Sequence, residues 1–139
     1  MIVRPFRPAD EEDVIAIWHQ CDLLRPWNDP HKDIARKMKV RPDLFLVGEL
    51  DGRIIATVMA GYDGHRGWLY YLAVLPEHRR GGCGRAIVAE AQRLLCLEGC
   101  PKINLQVRTS NKEVIEFYRQ IGFAVDDVLS MGKRLEKDD

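Results

Sequence analysis

The residues that invite chemistry first stand together in "EHRRGGCGRAIV", Glu77 to Val88, where three arginines and three glycines separate an apolar run from a helical one. The N–H groups in the first turn of a helix lack intrahelical partners, and the helix dipole adds about half a positive charge there. A glycine turn that exposes them makes an anion site. Gly81, Gly82 and Gly84 permit close approach of a ligand to the main chain. Arg79, Arg80 and Arg85 add charge-assisted contacts suited to phosphate. The ligand implied is a phosphate or pyrophosphate lying against the start of a helix. The plainer alternative is a solvated basic loop. The nucleotide motifs fail in detail, since no Lys-Ser or Lys-Thr follows as in a Walker loop, and Ile87 stands where a dinucleotide fingerprint needs glycine.

The elements around this turn read in a clear order. A strand from Ile2 to Phe6 precedes a helix in which Asp10 caps and Val14, Ile17, Trp18 and Cys21 form one apolar stripe. After "CDLLRPWNDP", Asp29 and Pro30 stand as N-cap and first residue of a shorter helix running to about Lys39. "LFLVGEL", a two-residue type I′ turn at Asp51 and Gly52, and "RIIATVMAGY" form a hairpin, with "WLYYLAV" as the third strand of the meander. A helix carrying Ile87, Val88, Ala91, Leu94 and Leu95 ends at Gly99, and "KINLQV" alternates as a strand does. Ser110 and Glu113 read as a capping box opening the last helix, whose apolar face is Val114, Phe117, Tyr118 and Ile121 and which Gly122 closes. "FAVDDVLSMGKRL" supplies one or two final strands. This is one α+β domain spanning residues 1–139, without repeats or linkers.

Composition removes several classes of function. Twenty-one basic and 21 acidic residues balance, so no nucleic-acid or membrane partner is expected. No apolar run reaches membrane-spanning length and the N-terminus lacks a signal-peptide core, which points to the cytoplasm. Cys21, Cys83, Cys96 and Cys100 contain no C-x-x-C pair, and His19, His31, His65 and His78 fall at no ligand spacing. No disulfide framework and no metal are expected.

The glycine turn resembles motif A of the GNAT family of N-acetyltransferases, Q/R-x-x-G-x-G/A, with Arg79, Gly82 and Gly84 in order. Asn111, Phe117, Tyr118, Gly122 and Phe123 match a later family motif, N-x-x-x-x-x-F-Y-x-x-x-G-F, and "LLRPWNDP" and "GYDGHRG" resemble a bacterial branch of the family. The resemblance covers nearly the whole chain. It implies a mixed, mostly antiparallel sheet of six to seven strands flanked by about four helices.

It also implies acetyl-CoA as cosubstrate and a primary amine as acceptor, with a homodimer left open. The pyrophosphate would sit on the amides of Arg80, Gly81, Gly82, Cys83 and Gly84, with Arg79, Arg85 and Asn111 beside it. The pantetheine arm would pair with Leu72, Ala73 and Val74. Tyr118 matches the family's general acid, and its ordinary pKa of about 10 keeps it protonated at pH 7. The strand "WLYYLAV" lacks the carboxylate that some members use as base, which leaves Glu49 as first candidate and Asp63 or His65 as the second. Leu24, Arg25, Trp27, Tyr62, Asp63 and His65 are expected to build the acceptor pocket, with Arg25 and Arg66 for an acceptor carboxylate or phosphate. A non-catalytic CoA-binding domain is the alternative.

Overall fold

The computed structural model describes residues 1–138. The first strand β1 (Ile2–Pro5) leads through a 3-10 turn into α1 (Glu11–Gln20) and then α2 (Pro30–Lys37). Three strands follow, β2 (Phe45–Leu50), β3 (Arg53–Tyr62) and β4 (Gly67–Val74). The chain ends with α3 (Cys83–Leu97), β5 (Ile103–Leu105) and α4 (Lys112–Gln120), followed by a tail. The five strands stand in sequence order, antiparallel from β1 to β4, and β5 adds in parallel to β4. Residues Ile54 to Ala60 of β3 are buried on both faces, because α1 and α3 both pack on that strand. The buried apolar side chains form one cluster, with Trp18, Phe45, Ile34 and Leu44 among the largest.

Local signals account for much of this. Asp51 and Gly52 take φ of 52° and 77°, as a type I′ turn requires. The Asp29 carboxylate accepts the N–H groups of His31 and Lys32, a complete N-cap ahead of Pro30. Two caps differ from expectation. The Asp10 carboxylate accepts from the Arg7 N–H and, through two bonds of 2.8 and 3.0 Å, from the Arg4 guanidinium, closing the turn before α1 instead of capping the helix. Asn111, not Ser110, caps α4 by accepting from the Val114 N–H.

The expected six to seven strands are five, because residues 124–138 form no ladder with the sheet. Side chains hold this tail beside β5 instead: Asp126 accepts from Lys102 and Asn104, and Gln106 donates to Ser130. Adjacent Asp126 and Asp127 break the in-out alternation that a strand with one buried face needs.

One irregularity positions the site. Ala73 pairs with Thr57 and Tyr70 with Met59, so β4 spends one residue more than β3 between those pairs, and Tyr71 takes a left-handed φ of 54°. Three contacts hold this bulge. The Thr57 hydroxyl donates to the Tyr71 carbonyl at 2.7 Å and accepts from the Trp18 indole N–H at 3.0 Å, and both side chains are fully buried. The Trp18 and Tyr71 rings stack at 3.8 Å. The Tyr71 hydroxyl donates to Asp33 of α2 at 2.6 Å.

Replacing Thr57 with Val keeps the shape but strands the indole N–H and the Tyr71 carbonyl in the core. We expect a loss of about 2 kcal/mol, seen as a lower urea midpoint at unchanged slope. An unchanged midpoint would show that the bridge does not hold the bulge.

Candidate active site

Below the bulge the sheet divides. β4 pairs with β5 only from Gly67 to Leu69, so the main chain from Tyr70 to Val74 has no β5 partner on that side. A cleft of about 650 Å³ opens there. Leu72, Ala73 and Val74 form one wall, Glu113, Val114, Glu116 and Phe117 of α4 with its flanking residues Asn111 and Ile121 the other, and the glycine turn closes one end. Cys21 and Leu23, just past α1, complete it.

The turn has the donors that the sequence suggested. Gly82 takes φ of 87° as N-cap of α3, and Arg80 before it takes 63°. The first main-chain bond of the helix runs from Ala86 N–H to Gly82 O at 2.9 Å. Among the described residues, the N–H groups from Arg80 to Arg85 meet no protein acceptor. Six adjacent donors at the positive end of a 15-residue helix make a strong anion cradle.

The glycines do different work. Gly82 needs its left-handed φ. Gly84 needs space, since a Cβ there would lie 3.2 Å from Phe117 and 3.7 Å from Val74. Gly81 has room for a side chain, its nearest neighbour being the His78 carbonyl at 3.8 Å. Of the arginines, Arg80 and Arg85 line the cleft without a protein partner among the described residues. Arg79 is already engaged, donating to the Val74 carbonyl at 3.0 Å and to Cys21 Sγ at 3.4 Å. It ties the end of β4 to α1.

Other expected residues fall in different places. Tyr118 is only 7% exposed, between Phe117 and Phe123 in edge contacts of 5.2 and 5.3 Å, and it stands behind the cleft wall. Burial holds its hydroxyl pKa well above the ordinary tyrosine value, so it is firmly protonated at neutral pH. Glu49, near the C-terminal end of β2, does not line the cleft, and its carboxylate accepts from Arg4 at 3.3 Å. Asp63 caps its own turn through the N–H groups of Arg66 and His65, which hold its pKa low. Tyr62 donates to the Gly64 carbonyl in the same turn, and His65 is exposed. That turn lies at the opposite end of β4 from Val74. Arg25 donates to the carbonyls of Asp22 and Leu24 and Arg66 to that of His65, and neither lines the cleft. Trp27, half exposed, lies under the Arg108 guanidinium at 5.8 Å, and Leu24 is partly buried against the core. None of these six expected pocket residues lines the cleft.

Several cleft residues escaped sequence reasoning. Val114, Phe117 and Ile121 read as a core stripe but are only partly buried and face the cleft. Cys21 read as the last member of another stripe. Their periodicity was the right signal for a buried face; nothing local says that the face is shared with a ligand. Tertiary packing also brings ligand atoms of Glu11, Glu12 and His31 within 4.8 Å of one another, at positions with no metal-ligand spacing. They form a surface ion pair, with Glu11 raising the His31 pKa.

A mixed sheet that splits beside a glycine-capped helix gives an α+β domain with a cleft suited to an anion-bearing ligand. The model of the acetyltransferase (GNAT) family matches residues 12–123, and the chain belongs to that family. A protein of Sodalis glossinidius (strain morsitans) named as an acetyltransferase is 50% identical over 139 residues, 99% of this chain and 98% of that one. Among solved structures, a putative acetyltransferase from Agrobacterium tumefaciens superposes with a TM-score of 0.78 at 17% identity, covering 96% of this chain and 100% of that one. AAC(6')-Iy, solved with the bisubstrate analogue CoA-S-monomethyl-acetylneamine, gives 0.76 at 19% identity, covering 96% and 97%.

Tyr118 and Tyr71 both have raised pKa values, Tyr118 from burial and Tyr71 from burial and then Asp33. A raised folded-state value gives stability that is fully present below the unfolded value of about 10 and is lost as pH rises through the folded-state range. Tyr118→Phe should therefore lose less stability than the unmodified protein between about pH 9 and 11. Urea midpoints across that range check it, and parallel curves would contradict the burial of the hydroxyl.

Proposed function

We infer that the protein transfers the acetyl group of acetyl-CoA to a primary amine, of a small metabolite or a protein, by direct attack through a tetrahedral intermediate. The observation that carries this reading is the row of unpartnered N–H groups from Arg80 to Arg85, opening onto a cleft that continues along the unpaired edge of β4. A pyrophosphate matches the first part and a linear amide-bearing arm the second, since main-chain groups bind such an arm as they bind a strand.

Each residue then has a task. The amides of Arg80, Gly81, Gly82, Cys83 and Gly84 hold the pyrophosphate, and Arg80 and Arg85 neutralise it. Asn111 lines the same end. The arm lies along Leu72, Ala73 and Val74, and with the Val74 carbonyl held by Arg79 and Cys21, an N–H of this segment is left for the thioester oxygen. Such a donor stabilises a tetrahedral intermediate by on the order of 3 kcal/mol. Collapse of the intermediate expels a thiolate, and we assign its proton to Tyr118, which burial keeps protonated and whose ring adjoins Phe117 of the cleft wall.

No carboxylate of β4 serves as base, because that strand contains none. An α-amine can then lose its proton to water without a dedicated base, and of the carboxylates only Glu113 and Glu116 line the cleft among the described residues. Deprotonating a lysine amine at pH 7 costs about 4.6 kcal/mol and an α-amine about 1 kcal/mol, which favours an α-amine. The balance of 21 basic and 21 acidic residues favours a small acceptor or a chain end over a strongly charged macromolecule. Among the described residues no helix is long and apolar enough to cross a membrane.

Calorimetric titration tests the donor. Acetyl-CoA should bind at micromolar concentration, more tightly than ATP. Gly84→Val, whose branched side chain meets Phe117, should weaken it at least about tenfold, or 1.4 kcal/mol. Absence of binding by a folded protein would refute the reading.

For the acid, Tyr118→Phe should lower kcat by about 100-fold while the acetyl-CoA Kd stays within about twofold. Equal turnover by the two proteins would remove Tyr118 from the chemistry. No turnover by the unmodified protein with any amine, despite tight binding, would leave a CoA-binding module.

A further inference from the structure

The tail contains one side chain that its surroundings single out. Every residue from 124 to 137 is exposed, yet the Asp138 side chain is only 1% exposed. Its carboxylate accepts from both terminal nitrogens of Arg36, at 2.7 and 3.2 Å, and from the Asp29 N–H at 3.0 Å. Arg134 approaches the same carboxylate at 4.0 Å and donates to the Asn28 side chain, and Glu136 lies 3.5 Å from Arg36. A two-pronged guanidinium plus a main-chain N–H is the donor set that recognises a carboxylate in general. It is built from the α1–α2 loop and α2, whereas the group that fills it comes from the end of the chain.

The position of this donor set connects it with the cleft. Arg36 also reaches Asp33 at 3.3 Å, Asp33 accepts from the Tyr71 hydroxyl, and Tyr71 adjoins Leu72 on the cleft wall. Two side-chain contacts thus link the donor set to the strand that forms the cleft wall.

We propose that Arg36 and the Asp29 N–H form a carboxylate subsite for the acceptor, and that Asp138 is an internal occupant which the acceptor's own carboxylate displaces. The acceptor class is an amine that also carries a carboxylate, as an amino acid or short peptide does. This rests on the transferase reading above for the identity of the reaction, but not for the existence of the subsite. An internal carboxylate competes by lowering the fraction of molecules with the subsite open, and its removal raises the apparent affinity by the reciprocal of that fraction.

Triglycine and triglycinamide, which share the amine and differ in the carboxylate, are suitable probes. In full-length protein, the NMR resonance of the Asp29 amide reports occupancy directly. For Asp138→Asn, the triglycine midpoint should fall about fivefold below that of the unmodified protein, while triglycinamide produces no saturable shift in either. Arg36→Gln should abolish the triglycine response. Arg36→Lys, which keeps the charge without the fork, should retain a weakened one.

Equal midpoints for Asp138→Asn and the unmodified protein, or equal responses to the two probes, would overturn the proposal and leave Asp138 as a tail anchor. Circular dichroism of each variant establishes that it is folded. The acetyl-CoA titration is a separate arm: its failure refutes the donor assignment, and the Asp29 shift still decides the subsite.

Discussion

The cleft depends on one forced conformation, the left-handed φ of 54° at Tyr71 in the middle of β4. A bulky residue in that region costs on the order of 1 to 3 kcal/mol and persists only when its surroundings leave no alternative. Thr57, Trp18 and Asp33 are those surroundings. The Thr57 hydroxyl satisfies a donor and an acceptor at once in a fully buried position, and the stacked Trp18 ring leaves the Tyr71 ring no other place. The extra residue turns β4 away from the direction that β5 follows, so the ladder between them stops at Leu69. Main-chain groups that a regular sheet would have paired become a binding surface.

The glycine turn supplies the second half of the site through a different kind of constraint. Its donors face the cleft because Gly82 reverses the chain just before α3 begins, and because Gly84 lets Phe117 of α4 and Val74 of β4 come within van der Waals distance of the first helical turn. Three elements far apart in sequence thus meet at one glycine. Arg79 shows how charge in a motif can be internal: it binds the Val74 carbonyl and Cys21, fixing the strand end against which the amides are aimed. Arg80 and Arg85 remain as cations at the mouth.

The relation to other proteins divides along the same line. Neighbours of 17 and 19% identity share the fold at TM-scores of 0.78 and 0.76, so few side chains are needed to specify it. The loops and the tail add long-range contacts to that fold. Here the tail carries Asp138 back to Arg36 across 102 residues of sequence, and the α1–α2 loop presents Trp27 beneath Arg108.

Much of the scaffold was legible because its signals are local. The Asp51-Gly52 turn, the Asp29-Pro30 helix start and the glycine-arginine turn are each decided within a few residues, by backbone sterics and by N–H groups that need acceptors. The cap of α4 was misplaced by one residue for the same reason, since Ser110 and Asn111 offer similar oxygens to the same donors. The terminal strands were overcounted because a short apolar stretch shows its propensity and not whether a neighbour pairs with it.

The sequence by itself determined the α+β order, the anion turn and the motif spacing, including Tyr118 in its helix. Only the tertiary structure decided that Tyr71 breaks β4, that Val114 and Phe117 line a cleft and that Glu49 pairs with Arg4. The physical reason is range. Propensity, capping and periodicity act between residues a few positions apart, whereas the Trp18–Thr57 bond joins groups 39 positions apart, and Arg4–Glu49 joins groups 45 apart. Which of such pairs form is settled by packing of the whole core, where each buried polar group must find the partner that the fold brings to it.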